Sequence, residues 1–149
     1  MAHTYCSLLL HCVFSTKERR RTIAPEVQER LWTYMGGIAR EYGAEALGVG
    51  GMDDHVHLLL KLPSSLAVAD AMGAIKSGSS QWMRKECGIK GVAWQEGYGA
   101  FSIGESQVEP TLAYIAGQKE HHRKRDFQAE FLAILEKHRM DYDLRYIWG

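Results

Sequence analysis

The sequence predicts an α+β domain whose largely antiparallel sheet is flanked by helices. Apolar runs near residues 5–14, 44–51 and 55–62 have the length and alternation of strands. Around them lie longer stretches with apolar spacing of three and four, giving the order strand, helix, strand, strand, helix, strand, helix, helix. With 149 residues, the chain reads as a single domain over 1–149. A domain of that size buries roughly two thirds of its unfolded surface.

Tyr5 to Phe14 alternates as a strand, with Cys6, Leu8, Leu10, Cys12 and Phe14 on one face and Tyr5, Ser7, Leu9, His11 and Val13 on the other. Pro25 suits the first turn of a helix running through Val27, Leu31, Met35, Ile38 and Tyr42 to a stop at Gly43. Its Gly36–Gly37 pair is expected at a close packing contact. Ala44 to Gly51 ("AEALGVGG") is a second strand, and His55 to Leu62 is a third, closed by Pro63. Ser64 and Ser65 are placed to cap a second helix with a stripe of Leu66, Ala69, Met72, Ile75, Trp82 and Met83, ending before Gly88. A short strand is expected at Val92 to Gln95, followed by the glycine-flanked "GYGAF". The third helix carries a capping box, Ser106 with Glu109, and Pro110 in its first turn. A fourth helix spans Phe127 to His138, and "DYDLRYIWG" is an aromatic tail.

An apolar fraction of 46% with 24% charged residues is ordinary globular composition. The greasy run from Cys6 to Phe14 is too short to span a bilayer and is not a secretory signal. Three cysteines without CxxC spacing give neither a disulfide framework nor a zinc knuckle, so a reducing cytoplasm is expected. Eighteen basic and eighteen acidic residues cancel, so bulk charge announces no nucleic acid. Two compact basic patches, "TKERRR" and "KEHHRKR", are of a kind that holds phosphates or simply faces solvent.

The stretch with most chemistry is "DDHVHLLL". On a strand, His55 and His57 point the same way, about 6.6–6.8 Å apart, and Val56 and Leu58 point to the other side. Two imidazoles so placed can converge on one metal ion; the plain alternative is a polar pair on a half-buried strand. On the third helix, Val108, Leu112 and Ile115 form a core stripe, and Thr111, Tyr114, Gln118 and His121 share another side. A helix laid beside the histidine strand would present a phenol and an amide together.

Over nearly its whole length the chain resembles the single-tyrosine HUH transposases of the insertion-sequence 200/605 family. The carriers are "LLLHCVFSTKERR", "DDHVHLLL", "IKSGSSQWM", "WQEGYGAFS" and "YIAGQ", in that order. The resemblance implies that His55 and His57 are the metal-binding pair, that Tyr114 is the nucleophile, and that Gln118 completes the metal site. It further implies that single-stranded DNA hairpins at element ends are bound, cut and rejoined by a homodimer, with the tyrosine helix able to serve the neighbouring subunit. The implied cofactor is a divalent metal, Mg2+ or Mn2+, which suits a mixed nitrogen and oxygen donor set.

Other residues are read more loosely. His11, Lys17, Arg19, Arg20 and Arg21, with Arg123 and Lys124, are candidate DNA contacts. Tyr98 is a further candidate DNA contact, stacking on an unpaired base, and Trp94 and Phe101 either stack likewise or pack in the core. Asp53 and Asp54 orient a histidine or form a turn. His121 and His122 read as phosphate contacts or exposed residues rather than ligands. The rival functions are a host-domesticated HUH endonuclease acting on repeated palindromes, a replication initiator or relaxase, a metal-dependent hydrolase, and a non-catalytic module binding single-stranded nucleic acid.

Overall fold

Across residues 3–148, which the computed structural model describes, the strand-forming runs pair into one four-stranded antiparallel sheet of order β2-β3-β1-β4. The strands are β1 (Leu9–Ser15), β2 (Glu45–Gly51), β3 (His55–Lys61) and β4 (Gly99–Ile103). The helices are α1 (Pro25–Glu41), α2 (Val68–Glu86), α3 (Val108–Ala116), the single turn α4 (Gln118–His121) and α5 (Phe127–Lys137). This is the α+β architecture expected. Strand β3 is interior, with His57 opposite Val13 of β1 on one side and Gly50 of β2 on the other.

Alternation sends Cys12, Phe14, Val56, Leu58 and Leu60 to one face, where they meet Leu31, Met35 and Ile38 of α1 and Met72, Ile75 and Met83 of α2. This is the main apolar core, and each large side chain fully buried there contributes about 1.5–3 kcal/mol. The close helix contact is made at Gly78, where a Cβ would lie 2.8 Å from Ile38 Cδ1. It is not made at the expected Gly36–Gly37 pair, which has open space or a neighbour at 3.9 Å.

The opposite face carries α3 and α5. Strand β2 makes room with glycine: a Cβ on Gly50 would sit 2.6 Å from the Ile115 carbonyl oxygen, so α3 lies almost on strand backbone. Helix α5 gathers Phe127, Phe131, Ile134 and Leu135 onto Val13 and Phe101. Its N-terminus is capped by Asp126, whose side chain accepts the Ala129 N–H at 2.9 Å.

Several local expectations are corrected. β1 begins at Leu9 rather than Tyr5, and the last strand is Gly99–Ile103. Val92 to Gln95 contributes only an isolated bridge, Thr16 to Trp94. The strand falls on the glycine-flanked segment because Gly99 must be bare: a Cβ there would lie 2.8 Å from Phe131. Neither the Ser64–Ser65 pair nor the Ser106–Glu109 box caps: α2 follows Ala67 without a side-chain cap, and ahead of α3 it is the Gly104 N–H that donates to Gln107 Oε1 at 3.2 Å. The tail is a set of turns whose Ile147 and Trp148 pack on the α5 cluster, while its last residue, Gly149, lies outside the described residues. All three cysteines are free, and among the described residues no helix is long and apolar enough to cross a membrane.

Candidate active site

On the face of β3 opposite the main core, His55 and His57 are fully buried. Their outward nitrogens are engaged: His55 Nδ1 lies 2.7 Å from Asp54 Oδ1, and His57 Nδ1 lies 2.9 Å from His11 Nε2. The inward Nε2 atoms face oxygen. His55 Nε2 is 2.9 Å from Gln118 Oε1, and His57 Nε2 is 2.9 Å from Glu130 Oε1.

Tyr114 reaches this centre because α3 rides on the glycines of β2. Its ring lies 5.6 Å from that of His57, and its hydroxyl donates to Glu130 Oε2. The helix does not run on to Gln118 as the shared face at spacing four assumed. It stops at Ala116, Gly117 breaks the turn (φ −91°, ψ 20°), and Gln118 opens α4. The break points the Gln118 amide inward: it is buried, and its Nε2 donates to the Tyr114 carbonyl at 3.3 Å. Tyrosine and glutamine are therefore neighbours, through a bend rather than a straight helix.

Two members of the cluster were not foreseen. Glu130 of α5 is fully buried, and His122 puts its Nε2 3.2 Å from Glu130 Oε2 and 3.1 Å from Gln118 Oε1. The signal for Glu130 is present in the sequence. It falls on the apolar stripe of Phe127, Phe131 and Ile134 at spacings of three and four, where a carboxylate has no business unless partnered. His122 is not exposed as one reading had it, since α4 ends by turning its side chain toward Glu130, at the edge of the basic cavity.

Burial opposes the Glu130 charge, but hydrogen bonds from His122, His57 and Tyr114 hold the carboxyl well below the usual range. Burial lowers His57, against the pull of Glu130. For His122 the balance reverses: burial would lower it, and the Glu130 hydrogen bond raises it. Burial and then Glu130 push the Tyr114 phenol above its ordinary value, so at rest the hydroxyl keeps its proton.

The remaining predicted residues divide. Arg21, Arg123 and Lys124 line an open cavity of about 330 Å³, with Arg125 beside them and Asp54 and His122 in its wall. The two basic patches, about a hundred residues apart in sequence, thus meet at the rim of the histidine cluster. Lys17 and Arg20 are exposed nearby in the chain, Arg20 paired with Glu18 at 3.0 Å, whereas Arg19 lies over the Trp148 ring at 5.4 Å. His11 is not part of that surface: it is buried against His57. Tyr98 is half-exposed beside Lys76 of α2, away from the cluster. Trp94 and Phe101 are core residues, the former donating to Ser79 Oγ at 3.0 Å. Of the two aspartates, Asp54 holds a histidine, and Asp53 accepts the Ile23 N–H through its backbone at 2.9 Å.

Residues 4–118, including the histidine pair, the tyrosine and the glutamine, match the family model described as "Transposase IS200 like". The chain belongs to the IS200-like transposase family. It is 29% identical over 114 residues to the ISDra2 transposase TnpA of Deinococcus radiodurans, covering 72% of this chain and 81% of that protein. It is 25% identical over 140 residues to the transposase for insertion sequence element IS200 of Salmonella typhimurium, covering 90% and 89%. The fold is shared with a crystal structure of a candidate transposase from Deinococcus radiodurans R1, at a TM-score of 0.62 and 25% identity, over 79% of this chain and 96% of that one. It is also shared with a REP-associated tyrosine transposase bound to a REP hairpin, at a TM-score of 0.61 and 16% identity, over 82% of this chain and 73% of that one.

Proposed function

We propose that this transposase, acting as one domain over residues 1–149, cuts and rejoins single-stranded DNA near hairpins through a covalent bond to Tyr114. The observation that carries the reading is the meeting of the Tyr114 phenol, the His55–His57 pair and the Gln118 amide in one buried cluster beside a cavity rimmed by Arg21, Arg123 and Lys124. A relative with the same fold is bound to a REP hairpin, which supports a hairpin substrate.

The donor set fits a divalent cation: His55 Nε2 and the Gln118 amide oxygen face each other at 2.9 Å, His57 Nε2 turns into the same cluster, and the outward nitrogens are braced by Asp54 and His11. His55, His57 and Gln118 would hold Mg2+ or Mn2+, which when bound would draw charge from the scissile phosphate and make its phosphorus more electrophilic. The basic rim holds neighbouring phosphates. The Tyr114 oxygen then attacks phosphorus as the bond to the 3′ oxygen breaks, leaving a 5′-phosphotyrosine and a free 3′-hydroxyl. The proton lost by the phenol ends on that hydroxyl. Because the ester keeps the bond energy, attack by another 3′-hydroxyl reseals DNA without ATP.

The homodimer implied by the resemblance to the HUH transposases stands as a proposal. In this chain Tyr114 meets its own histidine pair, so a dimer would not be needed to complete the cluster, and sedimentation at micromolar concentration tests the association. The chemistry is tested by mixing wild type and Tyr114→Phe with hairpin DNA labelled at either end, adding Mn2+, and running denaturing gels. Wild type should retain label only from the strand downstream of the cut, and Tyr114→Phe should retain none. An adduct formed by Tyr114→Phe would move the nucleophile elsewhere; cutting by wild type with no adduct would assign the reaction to activated water.

A further inference from the structure

Glu130 and His122 lie beyond the residues matched to the family, yet they sit at the middle of the cluster. Glu130 is the sole carboxylate among the buried side chains described. A buried carboxylate is costly unless partnered, and its closest partners here are the groups that face the proposed ion site.

We propose that Glu130 and His122 are ligands of the same divalent ion as His55, His57 and Gln118, so that α5 supplies the anionic ligand of the centre. The inference rests on the reading that the histidine pair binds metal, and extends it to a larger, charged donor set.

Spacing is the first support. Adjacent ligands of a six-coordinate ion with bonds of about 2.1 Å lie about 3 Å from one another. The inward atoms meet that edge length: 2.9 Å from His55 Nε2 to Gln118 Oε1, 2.9 Å from His57 Nε2 to Glu130 Oε1, 3.1 Å from His122 Nε2 to Gln118 Oε1, and 3.2 Å from His122 Nε2 to Glu130 Oε2. The longest is His55 Nε2 to Glu130 Oε1 at 3.6 Å. Candidate ligand atoms of His55, His122 and Glu130 all lie within 4.8 Å of one another.

Hydrogen-bond polarity is the second. Asp54 accepts at His55 Nδ1, which puts that ring's proton outside and leaves an Nε2 lone pair pointing at the Gln118 oxygen. A cation between them satisfies both atoms, and also the carboxylate behind them. Charge is the third: a neutral set of imidazole and amide can hold such an ion, but a carboxylate is the ligand type that hard Mg2+ and Mn2+ favour, so adding one tightens the site.

The experiment is titration of the intact chain with Mn2+ alone, without DNA, followed by the loss of the free-ion electron paramagnetic resonance signal and by pulsed spectra that count coordinated imidazoles. Glu130→Gln keeps the shape and the Tyr114 hydrogen bond while removing the charge, and should weaken Mn2+ binding by more than the roughly 10- to 100-fold that loss of an indirect partner of a ligand costs. His122→Asn, at a half-buried position less exposed to folding defects, should lower the count of coordinated imidazoles from three to two. Circular dichroism establishes that each variant is folded, and Glu130→Asp, which pulls the charge back without removing it, should fall between wild type and Glu130→Gln. Unchanged affinity in Glu130→Gln and an unchanged imidazole count in His122→Asn would overturn the proposal, leaving Glu130 and His122 an internal ion pair. If His57→Ala then still abolishes Mn2+ binding, the smaller metal site stands. If wild type binds no Mn2+, both metal readings fall, while the Tyr114 adduct remains separately testable.

Discussion

Val56, Leu58 and Leu60 leave strand β3 on one side and meet methyls, methylenes and sulfur; His55 and His57 leave it on the other and meet a carboxylate, an amide, two further imidazoles and a phenol. Both sets are shut away from solvent to the same degree. They differ in how loss is felt. On the apolar side each contact is one of many small ones, so damage is graded. On the polar side every group answers to another, so removing one strands its partners and ends the chemistry. Burial alone therefore says nothing about which face stabilises and which reacts.

The largest break between the faces should come from His57→Ala, which should remove strand cleavage altogether while hairpin affinity persists, because the basic rim of Arg21, Arg123 and Lys124 is left untouched. Cleavage gels beside mobility shifts would show it, and cleavage in metal-free buffer by a His55→Ala, His57→Ala double variant would refute the site. Leu58→Ala, one residue along, should behave oppositely: about 2–5 kcal/mol lost in urea melts, with adduct formation per folded molecule unchanged. Gly50→Ala couples the two effects, since its Cβ would collide with the Ile115 carbonyl and lift α3. We expect about 1–3 kcal/mol of destabilisation and a slower single-turnover adduct than Leu58→Ala gives.

Acid should act selectively on the polar face. Burial first, then the facing His57, His138 and Lys137, pulls the His11 pKa from 6.5 down to about 3 against the opposing Glu130. The unfolded chain therefore binds a proton that the folded chain refuses. His11 contributes its stability fully above about pH 6.5 and loses it progressively as pH falls toward 3. Urea midpoints should decline through that window, and His11→Gln should flatten the decline; an equal slope in the variant would place its origin elsewhere. The smallest effect belongs to the rim, where Arg21→Ala should reduce the salt dependence of single-strand binding by about 0.7 in the log–log slope.

The apolar face was legible in the sequence because alternation and helical spacing report burial directly, and β1, β3, α1 and α5 lie where those patterns put them, to within a few residues. The histidine pair and Tyr114 were legible by residue type and by resemblance. What escaped was set by tertiary contact. Gly99 reads as a breaker until Phe131 is known to lie over it, so the fourth strand was placed too early. Gly117 ends a helix that spacing alone continues, and His122 then reaches Glu130 and Gln118 while still lining the cavity of its basic neighbours. Glu130 stands out in the sequence as a carboxylate on the apolar stripe of Phe127, Phe131 and Ile134, but which partners it meets is known only once α5 is laid on the sheet.

The position of β3 has a consequence for motion. Its amides are locked into ladders on both sides, so exchange of the protons around His55 and His57 with solvent requires opening the sheet itself. Helix α3, nine residues long and ended by Gly117, rests on the edge strand β2 and can loosen at far lower cost. In deuterium exchange the histidine strand should label on the timescale of global unfolding and the tyrosine helix well before it. A strand end joined to Tyr114 would thus ride on the faster-opening part of the molecule, with Gln118 just past the Gly117 break, while His55 and His57 stay clamped in the slow one.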